Sequence, residues 1–376
     1  MSRGPVRVGV LGCGVIGDVY IANLGGHPED VTVVACADLD LARAEVMAAK
    51  HDVPRVLAVN ELLRDPEVEL VVNLTWPAAH VELNLAALEA GKHVYSEKPL
   101  ALTLDEARQT LDEAERRGLR LGCAPDTLLA DGNQTARRLV DSGEIGAVLD
   151  ASSWFYATSP GPAARHPAPD FFYQQGAGPL FDMAPYPLST LVNLLGPIRR
   201  AWGRASRQVD EVVVGEGPRA GERLRVDVPL SYAAMVEFVA GPTAHIVTTW
   251  ESAAGRGMLP VQVSGTAGTL WTPNPNRFQN AVRLRKSAAD GDTGVEVAPQ
   301  HRNTASEANL RGLGVWEMAV AMREDRPHRC SAALGYHVLE AMMAIEESAQ
   351  TAAVVEIAST CERPDPMPEV LTAESS

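Results

Sequence analysis

Val6-Arg7-Val8-Gly9-Val10-Leu11-Gly12-Cys13-Gly14-Val15-Ile16-Gly17 decides how the rest of the chain is read. The apolar run through Leu11 predicts a strand, and the three glycines stand directly between that strand and the start of a helix. In this setting the glycines have separate roles. One permits a tight turn, one allows close backbone approach to a pyrophosphate, and one allows close helix–strand packing, with the helix N-terminus facing the anion. Gly-x-Gly-x-x-Gly alone is a weak signal, since a Gly-rich turn can be purely structural. Here Asp38 ends the next predicted strand. A carboxylate there accepts hydrogen bonds from a ribose 2′-hydroxyl and repels a 2′-phosphate, which favours NAD over NADP. Arg43 is close enough in sequence to reach the same pocket and neutralise a 2′-phosphate, so NADP stays open, and Asp38 as a simple helix cap is the plainer alternative.

Working outward, short apolar runs alternate with helical patterns to about residue 123. Strands are expected at Val6–Leu11, Val31–Cys36, Arg55–Leu57, Leu70–Asn73, His93–Ser96 and Arg120–Cys123, with helices at Leu41–Lys50, Ala78–Ala90 and Leu104–Arg117. Gly91 and Gly118 fall where helix C-caps belong. Strands alternating with helices predict an α/β fold, a Rossmann-type doubly wound parallel sheet occupying residues 1–124. Beyond it the texture turns β-rich, with candidate strands at Val148–Phe155, Leu230–Val239, Ala244–Glu251, Val261–Gly265, Thr269–Trp271 and Ala281–Lys286, and a helix at Gln134–Ser142. Sequential hairpin-like strands predict a C-terminal α+β domain over 125–361 with a large, mostly antiparallel open sheet. A final helix near 334–351 is expected to pack back on the first domain, and the polar tail 362–376 to be disordered.

Composition bounds the partners. The chain has 376 residues with 33 Lys and Arg against 48 Asp and Glu, a formal charge of −15. An acidic surface repels phosphate backbones and anionic lipid, which argues against nucleic acid or membrane as a partner. The longest apolar runs stop short of the ~18 residues a membrane span needs, and no signal peptide is visible, so a cytoplasmic location is expected. Five cysteines, Cys13, Cys36, Cys123, Cys330 and Cys361, lie far apart without a Cys-x-x-Cys pair, and the nine histidines have no metal-ligand spacing; no disulfide framework or metal site is predicted.

Glu97-Lys98-Pro99 follows the fifth predicted strand, at the carboxyl edge where doubly wound folds bind ligands. Pro99 disfavours a helical conformation at Lys98, so the chain stays extended or turns there. The sequence holds only four lysines. An ammonium at that edge can exchange a proton or, as a fixed charge, polarise a carbonyl or hydroxyl; the plainer alternative is a surface ion pair with Glu97. Ala124, Asp126 and Thr127, after the last strand, are candidate ligand contacts at the same edge or helix caps.

These features together resemble the Gfo/Idh/MocA family of NAD(P)-dependent oxidoreductases. The similarity is carried by Gly12–Gly17, Asn73-Leu74-Thr75-Trp76-Pro77-Ala78-Ala79-His80, Glu89 through Pro99, Gly176-Ala177-Gly178-Pro179-Leu180-Phe181-Asp182, and the turn Gly265-Thr266-Ala267-Gly268. The resemblance implies that Gly12, Cys13, Gly14, Val15, Ile16, Gly17, Asp38, Leu39, Arg43, Asn73, Leu74, Thr75, Trp76, Pro77, His80, Glu97, Lys98 and Ala124 line the cofactor site. It also implies that the second domain's sheet serves as a homodimer or homotetramer interface. Family members usually carry an Asp-x-x-x-His pair that exchanges the substrate proton. The matching positions are Asp182 and Tyr186, which at i, i+4 on one helix would share a face. A nearby ammonium would ease loss of the phenolic proton, so Tyr186 could replace the histidine, or Lys98 could transfer the proton itself. Pro185 and Pro187 complicate this: the helix is expected to start late or kink, with Asp182 then a possible N-cap. Lys98, Asp126, Phe172, Tyr173, Asp182 and Tyr186 are the expected substrate contacts, the aromatics as a wall for a sugar ring or as core.

The resulting expectation is an NAD-preferring oxidoreductase that moves hydride between nicotinamide and a secondary alcohol or ketone of a neutral sugar, sugar derivative or cyclitol. One alternative is a glycosidase or glycoside 3-oxidase that retains NAD and oxidises its substrate transiently. Another, of a different class, is an NAD-sensing regulatory protein, which would need the dinucleotide site but not Lys98.

Overall fold

The computed structural model describes residues 4–164, 166, 169–278, 281–297 and 309–368. The chain divides into two compact units, Met1–Leu129 with Asn309–Tyr336, and Ala130–Ala308 with His337–Ser376.

In the first unit β1 (Val6–Leu11), α1 (Val15–Leu24), β2 (Val31–Ala37), α2 (Leu41–His51), α3 (Val59–Arg64), β3 (Leu70–Asn73), α4 (Pro77–Glu89), β4 (His93–Ser96), α5 (Leu104–Arg117) and β5 (Leu121–Cys123) follow in turn. The strands form one parallel sheet in the order β2-β1-β3-β4-β5. β3 is buried at every position, as an apolar run covered on both faces must be. Local chemistry sets the helix ends. Asp40 caps α2 by accepting from the Arg43 amide, Thr103 caps α5 through the Glu106 amide, and Gly118 closes α5 in the left-handed region. Pro77 opens α4, where its missing N–H costs nothing. The strand expected at Arg55–Leu57 is reduced to an isolated bridge between Val56 and Cys36, because the chain enters α3 two residues later. Five strands therefore stand where six were expected.

The second unit begins with α6 (Asp131–Asp141), β6 (Val148–Thr158), α7 (Gly178–Met183), α8 (Pro185–Leu195) and β7 (Ile198–Ser206). It continues through β8 (Glu211–Val213), β9 (Arg223–Arg225), β10 (Ser231–Phe238), β11 (Thr243–Ser252), β12 (Gly257–Met258), β13 (Gln262–Gly265), β14 (Thr269–Trp271), β15 (Val282–Arg285) and β16 (Val295–Val297). After α9 (Leu313–Glu324) and α10 (Ala332–Thr351), β17 (Val355–Glu356) completes a ten-stranded sheet ordered β16-β15-β14-β13-β6-β11-β10-β7-β17, with β12 beside β6. Most pairs are antiparallel, but β6 and β11 run parallel, so the sheet is mixed. The Arg-rich β7 carried no apolar run to announce it. It is identified by its partners β10 and β17.

Two expectations about chain organisation change. A single boundary near residue 124 fails because Asn309–Tyr336 rejoins the first unit. There Val315, Met318, Ala319 and Ala321 of α9 are buried, and the Trp316 indole donates to Asp30 (2.8 Å). The tail is not free over 362–368. Met367 is buried, its amide donates to Gln134 Oε1 (2.8 Å), Arg138 donates to its carbonyl (2.7 Å), and Arg363 pairs with Asp141 (2.7 Å). α6 offers polar side chains that a run of tail backbone satisfies. Residues 369–376 lie outside the described residues.

Candidate active site

The turn after β1 shows why glycine stands at two of its positions. Gly12 has φ +96°, and a Cβ there would lie 2.7 Å from the Leu74 carbonyl oxygen; a Cβ at Gly17 would lie 2.3 Å from the Gly12 oxygen. Gly14 is the N-cap of α1, and a Cβ there would meet nothing within 4 Å. The chain thus brings β1, the β3 end and α1 together too tightly for side chains, leaving open space before the helix N-terminus. A dinucleotide pyrophosphate fits that cradle, where amides and the helix dipole favour an anion.

Asp38 ties this turn to the end of β2. Its Oδ2 accepts from the Cys13 amide (2.8 Å) and its Oδ1 from the Asp40 amide (2.9 Å). Its carboxylate retains further lone pairs for ribose hydroxyls. Arg43 is mostly exposed and only loosely paired, 3.9 Å from Asp38 and 3.8 Å from Asp40. Val15, Leu39 and Trp76, each placed after a different one of the adjacent strands β1, β2 and β3, are 82%, 96% and 50% exposed. Apolar groups held out at one sheet edge mark a ligand surface.

The next two strand ends carry a buried polar network. Asn73, at the end of β3, donates from Nδ2 to Asn84 Oδ1 (2.8 Å) and to the His80 carbonyl (3.2 Å), and its Oδ1 accepts from the Thr75 hydroxyl (2.6 Å). Asn84 donates to Ser96 Oγ at the end of β4 (3.1 Å). His80 is fully buried, with Nδ1 2.8 Å from the Pro99 carbonyl and Nε2 3.0 Å from the Thr75 carbonyl. Burial lowers its pKa against the pull of those two carbonyls. Asn73 and His80 are expected to touch the cofactor; their side chains are buried and bonded to the Thr75 and Pro99 loops.

Lys98 is half-buried on the loop after β4, and both the Lys98–Pro99 and Ala124–Pro125 peptides are cis. Glu97 does not serve merely as a surface partner: its Oε2 accepts the Lys98 amide (2.9 Å) and its Oε1 the hydroxyl of buried Tyr20 (2.8 Å). Burial and Glu97 hold the Tyr20 phenol well above its usual range, so it stays a donor. Tyr20, Asn84 and Ser96 escaped the sequence reading. The signal was present for one of them, since His80 and Asn84 are i, i+4 polar residues on one face of α4.

Asp126, expected to contact the substrate, is bonded within the fold. It is buried, and its Oδ2 accepts the amides of Gly312 (2.8 Å) and Gly314 (3.1 Å) at the start of α9. Burial pushes its carboxyl up to about 6 despite those donors. Ala124 is likewise buried. Among the described residues His27, Glu29 and Asp30 bring ligand atoms within 4.8 Å of one another, a grouping that histidine spacing did not suggest. Trp316 engages that grouping through the Asp30 hydrogen bond and through its stack on His27.

In the second unit Asp182 and Tyr186 lie on two short helices, not one. α7 ends at Met183 and α8 begins at Pro185, with Ala184 helical between them (φ −68°, ψ −22°). Pro185 and Pro187 lack the amides that would continue the ladder, which breaks it while preserving the helical path. Asp182 therefore sits inside α7, and the N-cap position of α8 is Ala184; Asp182 is half-buried, and Tyr186 is buried. The aromatic wall is corrected as well. Tyr173 is fully buried, its hydroxyl accepting from the Ala163 amide and donating to the Pro160 carbonyl. Phe172 and Tyr173 pack edge-on against buried Trp250, with ring centroids 6.0 and 5.8 Å away, in a core with Val212, Leu224 and Val226. Tyr173 is thus core beneath the β8–β9 hairpin, and Phe172 is half-buried at the edge of that core.

A glycine cradle before α1, a carboxylate at the end of β2 and a lysine after β4 define a dinucleotide-binding oxidoreductase. Residues 6–124 match the family model described as an oxidoreductase family with an NAD-binding Rossmann fold, and residues 133–271 match the GFO/IDH/MocA C-terminal domain. The chain belongs to the Gfo/Idh/MocA family. It is 28% identical over 335 residues to the dTDP-3,4-didehydro-2,6-dideoxy-alpha-D-glucose 3-reductase of Saccharopolyspora spinosa, covering 85% of this chain and 92% of that one. An inositol 2-dehydrogenase of Ralstonia nicotianae is 33% identical over 147 residues, 38% of this chain and 44% of that one. A levoglucosan dehydrogenase in complex with NADH and L-sorbose shares the fold, with TM-score 0.83 at 21% identity over 94% of this chain and 99% of that one.

Proposed function

We propose that this oxidoreductase prefers NAD and interconverts a secondary alcohol and a ketone on a neutral sugar, sugar derivative or cyclitol. The observation that carries the reading is Lys98, fixed through Glu97 and the Pro99 carbonyl at the sheet edge that also bears the glycine cradle. Bound NAD supplies the hydride acceptor, or NADH the donor. Lys98 exchanges the hydroxyl proton or polarises the carbonyl. Asp182 and Tyr186 are the second unit's candidates for holding the substrate and passing that proton, and Leu74, Thr75, Trp76 and Pro77 those for the nicotinamide end. The sugar and cyclitol chemistry is supported by the activities named for the Saccharopolyspora and Ralstonia relatives. The former acts on a dTDP-linked sugar, whereas the net charge of −15 in this chain favours a neutral substrate.

The Asp38 carboxylate supports NAD over NADP by repulsion of a 2′-phosphate. A homo-oligomer through the ten-stranded sheet, and a cytoplasmic location, complete the proposal; light scattering tests the first. Among the described residues no helix is long and apolar enough to cross a membrane.

The test is a panel of neutral sugars, cyclitols and sugar nucleotides, run with NAD and NADP in parallel and followed by nicotinamide absorbance. Turnover of a neutral polyol, abolished by Lys98→Ala and reduced by Tyr186→Phe, is expected. Full activity of Lys98→Ala, or cleavage of an aryl glycoside without net NADH, overturns the reading.

A further inference from the structure

Within the buried polar network, the His80 side chain reaches across to both loops flanking the proposed cofactor site. It stands in the first turns of α4, fully buried. Nδ1 lies 2.8 Å from the carbonyl of Pro99, the residue after Lys98; Nε2 lies 3.0 Å from the carbonyl of Thr75, the residue before Trp76. Its own backbone is held in turn, since Asn73 Nδ2 donates to the His80 carbonyl. A ring held in this way cannot swing toward a ligand, so it acts through what it ties.

We propose that His80 is a positioning residue with divided labour: Nδ1 sets the Lys98–Pro99 segment for proton exchange, and Nε2 sets the Thr75–Pro77 segment for dinucleotide binding. The inference rests on the functional reading above and extends it to a residue with no access to either ligand. A neutral imidazole donates from one nitrogen only. Burial, the largest influence, lowers the ring's pKa against Glu97 and the two carbonyls, so the ring is neutral, donates to one carbonyl at a time, and serves the two ties through its two tautomers.

The two ties are separable by substitution. The amide nitrogen of an asparagine side chain reaches about where Nδ1 stands, and that of a glutamine about where Nε2 stands. His80→Asn is expected to keep kcat within about twofold while weakening NADH binding about five- to tenfold, the effect of one lost hydrogen bond. His80→Gln is expected to do the reverse, keeping NADH affinity and losing kcat with KM unchanged. His80→Phe removes both ring nitrogens and loses both properties. NADH affinity is read by fluorescence titration of the full chain, which needs no substrate, and thermal melting accompanies each variant. If His80→Phe does not fold, the comparison of the two amide variants stands alone.

Asn and Gln variants that behave alike, or that change melting temperature while kcat and NADH affinity hold, overturn the proposal. Wild-type protein that binds no dinucleotide overturns the functional reading and this inference with it. Wild-type binding with indistinguishable variants overturns the inference alone.

Discussion

Replacing Asp126 by asparagine tests whether this carboxyl is an anchor or a ligand contact. Its side chain is buried and accepts two amides at the start of α9, and burial raises its pKa from the ordinary 3.8 to about 6. Between those two values the folded protein retains a proton that the unfolded chain has released. Stability must then fall as pH rises through that window and level off above about 6. Two pKa units correspond to ~3 kcal/mol, an upper figure for the difference between pH 4 and pH 7. Asparagine keeps an acceptor for the Gly312 and Gly314 amides and cannot ionise. Asp126→Asn is therefore expected to match wild type near pH 4 and to exceed it by up to ~3 kcal/mol at pH 7, with the gap opening between. Thermal melting of both proteins across pH 4–8 measures the gap, and substrate KM is expected to be unchanged. A gap that is constant with pH, or that closes as pH rises, refutes the reasoning; so does a large rise in KM, which would return Asp126 to the substrate.

Three further outcomes follow from individual contacts. Gly17→Ala places a methyl 2.3 Å from the Gly12 oxygen, so NADH affinity measured by fluorescence should drop at least about tenfold. Glu317, 1% exposed, accepts from Arg326 (2.5 Å), from the Arg329 guanidinium (2.6 Å) and from the Arg329 amide (2.8 Å); Glu317→Ala removes these charge-assisted bonds and should cost ~2–3 kcal/mol in denaturant unfolding. Asp38→Asn retains an acceptor for one of the two amides but removes the repulsive charge, so the ratio of kcat/KM for NADP to that for NAD should rise about tenfold, and an unchanged ratio would remove Asp38 from cofactor choice.

The parts legible in the sequence are those set by local rules. Gly12, Gly14 and Gly17 between a strand and a helix, Gly118 as a cap and Pro77 at a helix start each follow from backbone sterics and hydrogen-bond supply within a few residues. The chain repeats these signals often enough to lay out the parallel sheet. The stretch at Arg55–Leu57 shows the limit, since three strand-like residues pair only where a neighbour is already in place. β7 shows the converse, a polar segment made a strand by two partners.

The sequence by itself determined the dinucleotide cradle, the lysine after β4 and the family resemblance, because each is written in residues adjacent along the chain. Tertiary structure alone decided which of the polar residues are buried and bonded within the fold. Asp126, His80, Asn73 and Tyr173 have the chemistry of site residues, and in sequence nothing separates them from Lys98. What the fold alone supplies is the identity of their partners: α9 amides for Asp126, two distant carbonyls for His80, Asn84 for Asn73 and a loop carbonyl for Tyr173. A buried polar group must find such a partner, and for Asp126 the partner amides belong to a segment that returns only after Ala130–Ala308 of the second unit.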